Sequence, residues 1–137
     1  NLSMDVRESI ANVKEEMKQA VKEKVEKEVE KVKEDVDKKV DEEVDRIMER
    51  AEEEASRIRQ KADDAAEALI GEAELREKQL LEEAGNNPLK KIAAQKAGEE
   101  LVKKAEQQAQ RLRNEADTKA EQVLNEARTK AEEIKNK

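Results

Sequence analysis

The residues that could do chemistry are few in kind. With no His, Cys or Tyr, the chain lacks the usual general bases, thiolates and phenols of catalytic sites. Its serines are Ser3, Ser9 and Ser56, and no base but lysine lies near them in sequence. Carboxylates are abundant, and Asp63-Asp64 or Glu52-Glu53-Glu54 could in principle form an acid–base pair. On a solvated helix such runs ordinarily serve as hydrating charge. Neither the calcium-loop nor the zinc-ligand spacing occurs, and scattered Asp and Glu hold divalent cations only loosely. The expectation is a chain that catalyses nothing and carries no cofactor or metal.

Lys90, Lys91, Lys96, Lys103 and Lys104 form the one locally basic stretch. A nucleic-acid surface needs a basic face with aromatic rings to stack bases, and the chain has no Phe, Tyr or Trp. Nucleic acid is therefore not expected as a partner. The net charge of −7 comes from 29 basic and 36 acidic residues that are finely interleaved, so no large single-sign field forms. Interleaved Glu and Lys are characteristic of exposed helix faces, where i,i+4 pairs each add a few tenths of a kcal/mol. The absence of Cys fits the cytoplasm and the periplasm equally. No apolar run approaches the roughly 18 residues of a membrane span, and no signal peptide is evident. A start at Asn1 rather than Met suggests a piece of a longer protein.

Helical periodicity organises the whole chain. Almost nothing breaks a helix from about residue 3 to Ala84, Gly71 costing about 1 kcal/mol relative to Ala. The punctuation is Gly85-Asn86-Asn87-Pro88. Gly85 is placed as a left-handed cap, Asn87 as an N-cap, and Pro88 at the first helical position, where its missing N–H is harmless. A second helix follows to about Lys135, with Gly98 as its weak point.

In the first part an apolar stripe runs Met17, Val21, Val25, Val29, Val32, Val36, Val40, Val44, Ile47. It steps 4-4-4-3 twice, averaging about 3.75 residues. From Ile47 the steps become 4-4-3 through Ala51, Ala55, Ile58, Ala62, Ala66, Leu69, Ala73, Glu77 and Leu80. The same rule returns after the break, with Leu101, Leu112, Val123 and Ile134 each followed by two alanines until the chain ends. These are 15- and 11-residue repeats. Periods of about 3.67 and 3.75 call for a straight or right-handed supercoil rather than a leucine zipper.

The fold class expected is therefore all-α, with long coiled-coil helices forming one elongated module. Its parts are a Val-rich helix at 1–46, an Ala-rich helix at 47–84, a turn at 85–88 and an Ala-rich helix at 89–137. The turn is expected to reverse the chain into an antiparallel hairpin in which residue i faces about 174 − i. That register sets Leu69 against Ala105, Ala62 against Leu112, Ile58 against Ala116 and Ala51 against Val123, large against small at each layer. Glu82 and Glu83 oppose the first helix's dipole and Lys90 and Lys91 the second's, so these four are expected to face each other across the turn. Glu77, on the stripe, marks a wet layer or, more sharply, a register-setting polar contact. Because the first helix is much longer than the second, the Val-rich segment from Val13 to Val44 has no expected partner within the chain. It should meet a second copy or another helical protein.

Two resemblances bear on role. The Ala-rich 4-4-3 pattern is similar to that of the peripheral-stalk subunits of rotary ATPases, which implies a stator-like role. The stretch AGNNPLKKIAAQKAGEEL from Ala84 to Leu101, with KKAEQQAQRLRNEADTKAEQVLNEA after it, resembles the charged helical C-terminal tails of AsmA- and TamB-like bacterial envelope proteins. That resemblance covers mainly residues 84–137 and contains no catalytic motif. It implies a periplasmic or envelope setting. The leading functional expectation is a structural, oligomerising helix-pairing module. The rival is a lipid-surface helix, but such helices want a wide apolar face and a basic polar one, whereas this stripe is narrow and the chain acidic.

Overall fold

The computed structural model describes residues 2–137, with side chains from residue 5 onward, so the side chain of Ser3 lies outside the described residues. Two helices make up the fold, α1 (Leu2–Ala84) and α2 (Pro88–Lys135), and the described residues include no strand. They pack against each other as an antiparallel hairpin. The chain divides into two units, residues 1–44 and residues 45–137. This boundary falls close to Ile47, where the apolar spacing changes from 4-4-4-3 to 4-4-3.

The reversal is made by the residues whose types demanded it. Gly85 has φ +56, a left-handed conformation that costs a residue with a Cβ about 1–2 kcal/mol. Its N–H donates to the Glu82 carbonyl at 3.1 Å, closing the end of α1. Asn87 then caps α2. Its backbone is extended, and its side-chain Oδ1 accepts from the N–H groups of Leu89 and Lys90 at 3.1 and 3.2 Å. These are two of the donors that a helix start leaves unpaired. Pro88 follows as the first helical residue.

In the hairpin unit the buried residues are small. Along α2 they are Ala94, Gly98, Ala105, Ala109, Ala116, Ala120, Ala127 and Ala131, pairs four apart separated by seven. On the facing arm of α1 they are Ala51, Ala55, Ala66 and Ala84. Ile58, Leu69, Leu80, Leu112, Val123 and Ile134 are only half-buried. Small side chains at the contact let helix axes approach toward the short end of the usual range of about 8–10 Å. The larger residues then close over the seam from its sides.

The first unit is a single helical segment whose apolar stripe is open. Val21, Val25, Val29, Val32 and Val36 are all exposed, as are Val6, Ile10, Val13 and Met17 before them. Val40 is half-buried and Val44 is buried at 8% exposure. Glu23/Lys27, Glu34/Lys38 and Asp35/Lys39 stand at the favourable i,i+4 spacing. They help offset the modest helix propensity of the valines.

Candidate functional site

The residues that could have formed a reactive centre are dispersed. Asp63 and Asp64 share no proton-pair geometry: Asp63 accepts from Arg113 at 3.0 Å across the hairpin, while Asp64 accepts from Gln60 at 3.0 Å within α1. Glu52, Glu53, Glu54, Ser9 and Ser56 are exposed. Among the described residues no cluster of acidic side chains is placed to hold a metal ion. No helix there is long and apolar enough to cross a membrane. What the structure does build is one surface occupied by helix packing, in the hairpin unit, and one open apolar stripe, in the first unit.

The occupied surface has a register that can be read at one close approach. A Cβ added to Gly98 would lie 2.5 Å from Cγ and 3.1 Å from Cβ of Glu77. The aliphatic stem of Glu77 therefore covers Gly98, and residue i stands level with 175 − i, one residue from the expected register. At that level Ala66 meets Ala109, both at 0% exposure, and Ala55 at 2% meets Ala120 at 0%. The deepest layers of the seam are thus small against small, where large against small was expected at every layer. Glu77–Gly98 is the same layer with a large residue on one side and no side chain on the other. A slip of one repeat would set the Glu77 stem against Ala109, so the close approach at Gly98 disfavours that slip by size.

Ion pairs form at the middle of the hairpin rather than at its turn. Arg59 Nε donates to Asp117 at 3.2 Å and its Nη2 to Glu121 at 3.3 Å, while Arg113 Nε donates to Asp63 at 3.0 Å. Glu82 and Glu83 form no ion pair with Lys90 or Lys91, contrary to expectation. Four exposed side chains beside a turn gain too little Coulomb energy to offset the entropy of fixing them. Lys96, Lys103 and Lys104 are likewise exposed and unpaired in the structure. Leu101, expected in the interface, is 38% exposed. Its neighbour Val102 takes the half-buried place.

The central ion pairs were missed in the sequence, though a signal for them exists. Residues 57–63 read RIRQKAD and residues 111–117 read RLRNEAD. The two arms thus carry one segment twice, running in opposite directions, and the second arginine of each copy, Arg59 or Arg113, reaches the aspartate of the other. Ala51, Ala55, Ala62, Ala66 and Ala73 correspond to Ala105, Ala109, Ala116, Ala120 and Ala127 in this alignment. The hairpin unit consequently has an approximate two-fold axis between its arms, near residues 60 and 115.

The open surface is the stripe from Val6 to Val36, each of whose nine apolar residues is at least 52% exposed. Shallow apolar depressions lie along it, one between Val6, Ile10 and Val13 and another between Val21, Val25 and Val29. Comparison with known proteins places no restriction on how these surfaces are used, for no family model, curated protein or solved structure matches the chain.

Proposed function

We propose that this chain is a non-enzymatic helix-pairing module that associates with itself through the valine face of its first unit. The observation that carries the reading is the contrast in burial along one helix. The stripe is continuous in sequence from Val6 to Val44, yet its residues are more than half exposed as far as Val36. Isolated helices of modest propensity draw most of their stability from packing, and an apolar strip of about 45 Å left in water is a surface for association. In this reading both surfaces are coiled-coil seams, with 11-residue repeats in the hairpin and about 3.75 residues per step along the valines, hence straight or right-handed.

Concentration-dependent thermal unfolding followed by circular dichroism tests the proposal. Association linked to folding makes the melting temperature rise with protein concentration by mass action. A rise is expected in the phase belonging to the first unit, with the hairpin phase unchanged. Melting independent of concentration, with no gain in helicity, would remove the proposal. Helicity that climbs only on adding anionic lipid vesicles would favour a lipid-surface role instead. An envelope setting, implied by the resemblance of residues 84–137 to envelope-protein tails, is part of the proposal and is checked by fractionating cells that express the tagged chain.

A further inference from the structure

The internal repeat leaves the middle of the hairpin seam indifferent to which arm it meets. Residues 51–73 align with residues 105–127, 54 later, and the deep layers Ala55–Ala120 and Ala66–Ala109 are alanine on both sides. If the arm of α1 met the same arm of a second copy, antiparallel and in the same register, each α2 residue would be replaced by its counterpart. Ala66 would then meet Ala55 of the second copy, and Arg59 would find Asp63 and Glu67 where it now finds Asp117 and Glu121. Two α2 arms would match as well there, with Ala109 on Ala120 and Arg113 beside Asp117. Alanines and ion pairs alone therefore admit three pairings, α1 with α2, α1 with α1 and α2 with α2.

The repeat breaks at the Glu77–Gly98 layer, where the counterpart of Glu77 is Ala131 and the counterpart of Gly98 is Val44. We infer that Glu77 and Gly98 are the specificity-determining residues of the seam, joining unlike arms and turning away the like arm of a second copy. In the hairpin the Glu77 stem fills the space over Gly98, where an added Cβ would lie 2.5 Å from its Cγ and 3.1 Å from its Cβ. Pairing α1 with α1 would set Glu77 on Val44 twice, placing a branched side chain where the present spacing has no room for one carbon. Pairing α2 with α2 would set Gly98 on Ala131 twice, and nothing large would cover either bare backbone, which leaves a gap at both layers. Only unlike arms bring a long side chain to a glycine. The layer thus acts by clash and by void against the wrong partner, which is how a seam that is otherwise self-complementary gains specificity. It keeps a second copy off the alanine seam whether or not copies associate through the valine face.

The intact hairpin can host the layer that like arms would make, because Gly98→Val sets a valine on Glu77 within the full-length chain. Denaturant unfolding should show the folding constant of the hairpin lowered at least about tenfold by this change. Adding Glu77→Ala, which turns the layer into alanine on valine, should return it to within about threefold of the parent. A Gly98→Val chain as stable as the parent, or a double variant that recovers nothing, would overturn the inference. Partner choice is read directly with nitroxide labels, since the chain has no Cys and one introduced thiol suffices. Gln60→Cys and Asn114→Cys are exposed positions beside the axes about which two α1 arms or two α2 arms would pair. Each is carried on Val21→Asp, so that the valine face contributes nothing, and refolded from denaturant. Pulsed electron spin resonance should find no interchain distance below about 20 Å, the reach of two labels on helices packed side by side. Such a distance in either sample, with Glu77 and Gly98 in place, would mean that like arms pair and would overturn the inference.

Discussion

The packed seam and the open stripe of this chain use opposite side chains. In the hairpin unit the deepest residues are alanines, Ala66, Ala109 and Ala120 being fully buried, and the large residues lie at the edges. In the first unit valines fill the face and every one up to Val36 is exposed. The difference follows from how each surface can be closed. A tethered arm is held beside its partner by the turn at Gly85 to Pro88, so a seam of alanines with little apolar area suffices, and its closeness is limited only by side-chain size. On the proposed reading the open face is closed by a separate molecule, which must first offset the loss of translational and rotational freedom, and valines supply more apolar area per layer than alanines.

Enlarging the same kind of position in both surfaces should separate them most strongly. Ala109→Leu puts a large side chain against Ala66 and is expected to destabilise the hairpin by about 3 kcal/mol, measured by denaturant unfolding. Val25→Leu on the open face should change the hairpin by less than about 0.5 kcal/mol. Next comes the Glu77–Gly98 layer. Gly98→Ala alone should cost about 1–2 kcal/mol through the clash with the Glu77 stem. Glu77→Ala with Gly98→Ala should restore stability to the parent level or above it, because it recreates the alanine-on-alanine layer and gains about 1 kcal/mol of helix propensity. A double variant as unstable as the single one would show that the close approach does not set the register.

Smaller effects belong to the turn and the ion pairs. Gly85→Ala should lower hairpin stability by about 1–2 kcal/mol, since alanine must adopt the left-handed φ. Arg113→Gln should lower it by no more than about 1 kcal/mol, with the difference fading as salt is added. Neither change should alter association through the valine face.

Much of the fold was legible because each signal had a local physical cause. Gly85, Asn87 and Pro88 each admit one role at a helix boundary, and spacings of three and four mark a helix face directly. The register was legible to within one residue because the repeats of the two arms must interdigitate. Which members of the repeat would be central was not legible. Periodicity treats Leu101 and Ala105 as equal stripe positions, whereas close helix approach buries the small one and leaves the large one at the rim. The turn charges misled for a related reason: opposite signs near each other in sequence imply proximity, but not enough energy to order long exposed side chains. The repeated R-x-R-x-x-A-D segment was readable in principle, since an internal duplication running antiparallel to itself predicts reciprocal Arg–Asp pairs.

Sedimentation equilibrium of the full chain tests most directly that the alanine seam is satisfied within one molecule and the valine face only between molecules. Refractive-index detection suits a chain without Trp or Tyr. A mass of about twice 15.6 kDa at micromolar concentration is expected, falling to the monomer value in Val21→Asp with the hairpin still folded. A single 15.6 kDa species at every concentration, with the first unit fully helical, would contradict it.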